Sequence, residues 1–218
     1  MRATIRRIKS KDLDPDWDGP IWKEVSPLLI GRHMGERPDH IPRTQVKIAY
    51  DDEALHLIFQ VEDRYVRAVA ETHQSGVCRD SCVEFFFTPG TDTDVGYFNL
   101  EMNCGGTMLF HFQQGRGIRR QVIPEVELRR IQAAHSLPRL VDPEIEEPVT
   151  WTVTYRLPTA ILESYCSVQT PATGVVWRAN FYKCADQTSH PHWLTWAKVD
   201  RPLPDFHQPG FFGLLEFV

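Results

Sequence analysis

The chain has 218 residues, 42% of them hydrophobic, and a formal net charge of −5. That length suffices for one large β domain, and the acidic balance gives no electrostatic footprint for a nucleic-acid partner. Its longest apolar runs, such as "CVEFFF" and "FFGLL", fall far below the ~20 residues that a membrane span requires.

In chain order, "RATIRRIKS" after Met1 is basic but is followed by no apolar stretch, so no signal peptide is expected. "RRIKSK" and "GRGIRR" are short and interrupted, and read as solvated surface. "TQVKIAYDDEALHLIFQVED" is two alternating runs around "DDEA", a hairpin by pattern, with Leu55, Leu57, Phe59 and Val61 on one face. "DSCVEFFFTPGTDTDVGYFNLEMN" is a second hairpin with its turn in "PGTDTDVG". Further strands are expected at "GTMLFHF", "VTWTVTYRLP", "GVVWRANFYKC", "HWLTWAKV" and "FFGLLEFV". "TAILESYC" is the candidate for a short helix, and residues 114 to 147 are less regular. Many short strands between Pro/Gly turns predict an all-β fold: one β-sandwich domain of mostly antiparallel strands over residues 1–218. Five cysteines at spacings without pattern form no disulfide framework, so a reducing compartment such as the cytoplasm is expected.

"CADQTSHPHW" gathers Cys184, Asp186, His190 and His192, residue types that suit zinc. Residues two apart share a strand face, but Pro191 argues against a regular central strand there. The chain has no C-x-x-C and no H-E-x-x-H. Cys184, His190 and His192 are therefore not expected to share a metal, and no cofactor is expected elsewhere.

The second hairpin allows a register test. With Thr88 opposite Tyr97, Phe87 faces Phe98, Phe85 faces Leu100 and Val83 faces Met102, all apolar as a core face demands. The other face then carries Cys82, Glu84, Phe86, Tyr97, Asn99, Glu101 and Asn103, with Glu84 directly opposite Glu101. Two carboxylates across a ladder repel and require compensation by a cation, a shared proton or a polar ligand. The strand "WRANFYK" alternates likewise, with Arg178, Asn180 and Tyr182 on one side, so Arg178 is a candidate for the missing positive charge. Carboxylates and amides fanned around aromatic rings suit a sugar.

"RDSCVEFFFTPG" with "GYFNLEMNCGG", then "WRANFYKCADQTSHPHWLTW" and "PDFHQPGFFGLLEF", resemble the family 9 carbohydrate-binding module and its wider group. The resemblance covers nearly the whole chain, most weakly from Gln114 to Glu147. It implies a β-sandwich that binds sugars, typically at chain ends, between two aromatic side chains with a polar rim. On this resemblance Glu84 matches the sugar-contacting acid of the D-S-V-E strand. Glu101 and Asn103 fall on polar positions of the next strand, and Phe206 sits where one sandwiching tryptophan is expected. Two departures stand out: Glu101 occupies a position where the family often has arginine, and "SGVCRD" lacks the second aromatic. His73, Tyr65 and Trp193 are candidates to replace it. Some members hold structural calcium, although "TDTD" reads as readily as a turn.

The expected ligand site is thus Glu84, Glu101, Asn103, Arg178, Asn180, Tyr182 and Phe206 around one depression, without catalytic or metal residues. The expected partner is a carbohydrate, with no nucleic acid and no membrane. Three other readings stand beside it: a glycoside hydrolase using Glu84 and Glu101, a haem-binding sandwich, and a structural or interaction domain.

Overall fold

A computed structural model describes residues 1–218. The first strands are β1 (Arg2–Arg7), β2 (Leu28–Ile30), β3 (Arg32–His33), β4 (Arg43–Tyr50), β5 (Ala54–Asp63) and β6 (Val66–Ala68). Next come β7 (Cys82–Thr88), β8 (Tyr97–Asn103), β9 (Met108–Gln113), β10 (Gln121–Val122) and β11 (Gln132–His135). The last are β12 (Val141–Ile145), β13 (Val149–Pro158), β14 (Val176–Cys184), β15 (Trp193–Thr195) and β16 (Gly213–Phe217).

They form a β-sandwich. One sheet runs β10-β9-β8-β7-β14-β16, with β15 and β3 beside β14; the other runs β4-β5-β13-β11, with β2 on β4. β1 serves both sheets: Arg2 to Ile5 pair in parallel with β16, and Arg6 and Arg7 with β4. A strand that changes sheets makes the corner of the sandwich. All other pairings are antiparallel.

Alternation along each strand decides what the sandwich buries. Val83, Phe85 and Phe87 of β7, Phe98, Leu100 and Met102 of β8, and Trp177 and Phe181 of β14 fill it from one side. Leu55, Leu57, Phe59 and Val61 of β5, with Trp151, Val153 and Tyr155 of β13, meet them from the other. Phe85 is fully buried, its ring stacked at 4.3 Å on Phe87 and 5.0 Å on Phe181. The hairpin register is the expected one, from Cys82 opposite Asn103 to Phe87 opposite Phe98.

Three local expectations change. "TAILESYC" is a 3₁₀ segment over Thr159–Ser164 and not an α-helix. "HWLTWAKV" contributes only Trp193–Thr195 as strand, because Trp196 and Ala197 turn inward to the core. The irregular region carries three short strands and a one-turn helix, Glu125–Leu128, whose Leu128 is its buried anchor.

Candidate functional site

The outward face of β7, β8 and β14 is roofed. Cys82, Phe86, Tyr97, Tyr182 and Cys184 pack under Met34, Val77, Val199, Phe206 and Phe212, forming a second, smaller core. The segments after β3, β6 and β15 supply this cover. Glu84, 2% exposed, and Glu101, 6% exposed, face each other within it. Tyr182 lies on the other flank of Glu84, across β14.

A depression of ≈ 80 Å³ opens onto these two carboxylates. Asp186, Asp205, Arg116 and His207 add polar groups to its wall, Cys78 and Cys184 add thiols, and Trp193, Phe206 and Pro204 add apolar surface. A hollow of this size holds a few water molecules or the hydroxyl-bearing edge of a ligand.

Glu101 is held by a relay of amides. Its Oε1 accepts from Asn99 Nδ2 at 2.9 Å, and Asn99 Oδ1 accepts from Gln113 Nε2 at 2.8 Å. Gln113 Oε1 in turn accepts from the Gly117 backbone N–H at 2.8 Å, which ties down the turn bearing Arg116. Glu84 Oε1 accepts from the Cys184 thiol at 3.0 Å. Trp193 Nε1 donates to Asp186 Oδ1 at 2.8 Å, fixing the indole at the rim.

Burial raises the pKa of Glu84 well above the ordinary carboxylate range, and the charge of Glu101 raises it further. Burial also pushes Glu101 up to about 7, against the hydrogen bond from Asn99. At neutral pH the pair therefore retains a proton, and the repulsion across the ladder is relieved in that way. His207 goes the other way: burial and then Arg116 lower it to about 4, so the ring is neutral. Its Nδ1 lies 2.9 Å from the Tyr97 hydroxyl and 3.2 Å from Gln113 Nε2. With Nδ1 accepting from both, the ring proton sits on Nε2.

Of the residues anticipated from sequence, Glu84, Glu101 and Phe206 line this depression, and four others do not. Asn103 has its amide committed to Asp80 Oδ2 at 2.9 Å and the Ala70 carbonyl, while its oxygen caps the Thr107 N–H. Asn180 is committed to the chain at Ala197, donating at 3.0 Å and accepting at 2.8 Å. Tyr182 gives its hydroxyl to the Phe206 carbonyl at 3.1 Å and its ring to Phe206, stacked at 4.1 Å. One face of the Phe206 ring is thereby occupied.

Arg178 pairs with Thr88, whereas Glu84 pairs with Tyr182. At about 3.3 Å per residue it lies some 13 Å away along the strand, too far to offset the two carboxylates. Arg116 is the cation that reaches the wall, at 3.8 Å from Asp205. It comes from "GRGIRR", and the surface reading of that run missed it. Asp186, Asp205 and His207 were also missed, although each lies within a residue or two of Cys184 or Phe206.

Cys184, His190 and His192 of "CADQTSHPHW" point to different partners. Cys184 faces Glu84 at 3.0 Å, and His190 stacks on Tyr65 at 3.6 Å. His192 Nε2 accepts from the buried Lys183 ammonium at 2.7 Å, and its Nδ1 lies 2.9 Å from the His190 carbonyl. Lys183 also meets Asp63 Oδ2 at 3.5 Å, and His40 Nε2 meets Asp63 Oδ1 at 2.8 Å. Burial opposes the Asp63 charge, but Lys183 and His40 outweigh it and hold the carboxyl at about 2. The stretch thus closes a buried ion pair at the end of the sandwich. "TDTD" is a turn in which Asp92 accepts from the Asp94 N–H at 2.9 Å.

A β-sandwich with a small depression of hydrogen-bonding groups beside an indole, on one sheet face, has the build of a small-ligand binding module. The chain belongs to carbohydrate-binding family 9, whose family model matches residues 30–217. A Bacteroides uniformis crystal structure, to which carbohydrate binding is provisionally ascribed, superposes with a TM-score of 0.88 at 26% identity. That match covers 100% of this chain and 99% of the other. A family 9 module from Caldicellulosiruptor kristjanssonii in complex with glucose superposes at 0.66 with 13% identity, over 100% of this chain and 96% of that one. The cellotriose complex of a family 9 module from the same organism gives 0.64 and 12%, over 100% and 93%. No curated protein matches the sequence.

Proposed function

We propose that the protein binds carbohydrate without transforming it, with Glu84, Glu101, Trp193 and Phe206 as the contact set. Membership of the family over residues 30–217 is the observation that carries this reading, and the chemistry of the depression supports it. A carboxylate pair sharing a proton offers both a donor and acceptors to a vicinal diol, while Asp186, Asp205 and Arg116 offer more at the rim. Trp193 is the aromatic group at the rim that replaces the residue missing before Asp80. The hollow admits the hydroxyl-bearing edge of a sugar and not a whole hexose ring, so the ring lies across the mouth beside the indole. Such partial enclosure favours chain ends or short oligosaccharides and weak binding, on the order of a millimolar dissociation constant (about −4 kcal/mol).

Hydrolysis would need the two carboxyl groups to bracket a scissile bond from opposite sides. Glu84 and Glu101 rise side by side from adjacent strands, and burial shifts both in the same direction. Calorimetric titration with glucose and cellotriose tests the proposal. Trp193→Ala should abolish binding and Glu84→Gln should weaken it about tenfold by breaking up the proton-sharing carboxyl pair that offers the ligand both a donor and acceptors. Unchanged affinity in both variants would place the ligand elsewhere, and turnover of a glycoside lost in Glu84→Gln would reverse the reading.

A further inference from the structure

Cys184 lines the depression with a thiol that sugar binding does not require, and a second thiol, that of Cys82, lies beside it. Cys82 of β7 and Cys184 of β14 are direct cross-strand partners on the outward face. Their Sγ atoms and a Glu84 carboxylate oxygen all lie within 4.8 Å of one another, and all three residues are buried. The Cys184 thiol, at 3.0 Å, is the one hydrogen-bond partner Glu84 has. Its second oxygen makes no hydrogen bond, although the side chain is 2% exposed and faces the depression. No cation answers these groups: Arg116 is paired with Asp205, and the Lys183 ammonium is turned to the other face, toward Asp63 and His192.

We propose that Cys82, Cys184 and Glu84 form a binding site for a thiophilic divalent cation, zinc in the first instance, with its fourth position open to the depression. Two thiolates and a carboxylate match the ligand preferences of zinc, and three protein ligands with one open position is a stable arrangement for it. With zinc–sulfur bonds of about 2.3 Å, two sulfurs on a tetrahedral ion lie roughly 3.8 Å apart. That separation is compatible with ligand atoms that lie within 4.8 Å of one another. Binding breaks two S–H bonds and releases both protons to solvent, the proton of the carboxyl pair passes to Glu101, and two zinc–sulfur bonds and one zinc–oxygen bond to Glu84 form with no change of oxidation state. The charge of the two thiolates, with the one negative charge that the proton-sharing carboxyl pair keeps, is what the ion would neutralise. Because the thiols must lose protons, affinity falls as the pH falls.

This inference rests on the thiol pair and the unpartnered Glu84 oxygen and does not depend on sugar binding. The test uses the full chain, reduced with a phosphine, stripped with a chelator and titrated with zinc against a chromophoric competitor, without sugar. One zinc per chain is expected, with affinity at least a hundredfold weaker in Cys82→Ser and in Cys184→Ser and unchanged in His190→Ala. Cobalt(II) in the parent protein should give a sulfur-to-metal charge-transfer band, which reports thiolate ligation even if a variant folds poorly. A reduced parent that retains no zinc, zinc held equally by both serine variants, or a cobalt spectrum without that band would overturn the proposal.

Discussion

Replacing Glu101 by glutamine should change how stability depends on pH, and the structure predicts the size of the effect. Glu101 is pushed up to about 7 in the fold, first by burial, against about 4.3 in an unfolded chain. A carboxyl raised by folding binds its proton more tightly in the native state, so its contribution is fully present below the unfolded value. It is lost as pH rises toward the folded value, at a limiting slope of about 1.4 kcal/mol per pH unit for one excess proton. Across the window the loss approaches about 3 kcal/mol. At 6% exposure the group is too buried for solvent to screen much of this. Histidines work in the opposite direction: burial lowers His111 to about 4, His192 to about 3 and His207 to about 4. Their stabilising contribution grows as pH rises through the same window, so the parent curve alone is ambiguous. The readout is the difference between parent and Glu101→Gln, measured by urea unfolding at half-unit steps from pH 4.5 to 8 with chelator and reductant. The parent should lose about 3 kcal/mol relative to the variant from the acid end to the alkaline end. Parallel curves would mean that Glu101 ionises freely, and the buried carboxyl pair would then be no feature of the site.

Phe85→Ala should cost about 3–5 kcal/mol in chemical denaturation, since the ring is fully buried between Phe87 and Phe181. Lys183→Met should cost about 3–5 kcal/mol, because Asp63 is left as a buried charge without its ammonium partner; a neutral result would show that the pair is dispensable. Asn180→Ala should cost about 2–4 kcal/mol in the same assay, as it strands the buried Ala197 backbone groups. Arg178→Ala should leave affinity for glucose or cellotriose within about twofold, and a larger loss would return Arg178 to the site.

The sandwich was legible because β7 and β8 alternate strictly, so one parity buries only apolar residues and the other leaves Glu84 facing Glu101. Parity says which face a residue takes and stops there. Asn103, Asn180 and Tyr182 lie on the anticipated face, yet Asp80, Ala197 and Phe206 consume their hydrogen-bonding groups. Those partners arrive from loops whose paths no strand pattern describes. The segment after β15 also brings in Asp205 and His207, and the loops after β9 and β14 bring in Arg116 and Asp186. The roof over the polar face was also illegible, since Val199 and Phe212 read as strand and Phe206 as a sugar-facing ring rather than as cover. Cys82 and Cys184 escaped notice as a pair because a motif search looks for short spacings, whereas the Glu84–Cys184 contact joins residues 100 apart.

The most direct test of sugar binding at the depression is the indole N–H spectrum of the protein, which has six tryptophans. Trp193 alone among them lines the depression, with its Nε1 proton on Asp186. Addition of glucose or cellotriose should shift the Trp193 resonance, assigned through Trp193→Phe, along a saturable curve while the other five stay in place. A spectrum unmoved by either sugar, or a shift confined to another tryptophan, would contradict sugar binding at this site.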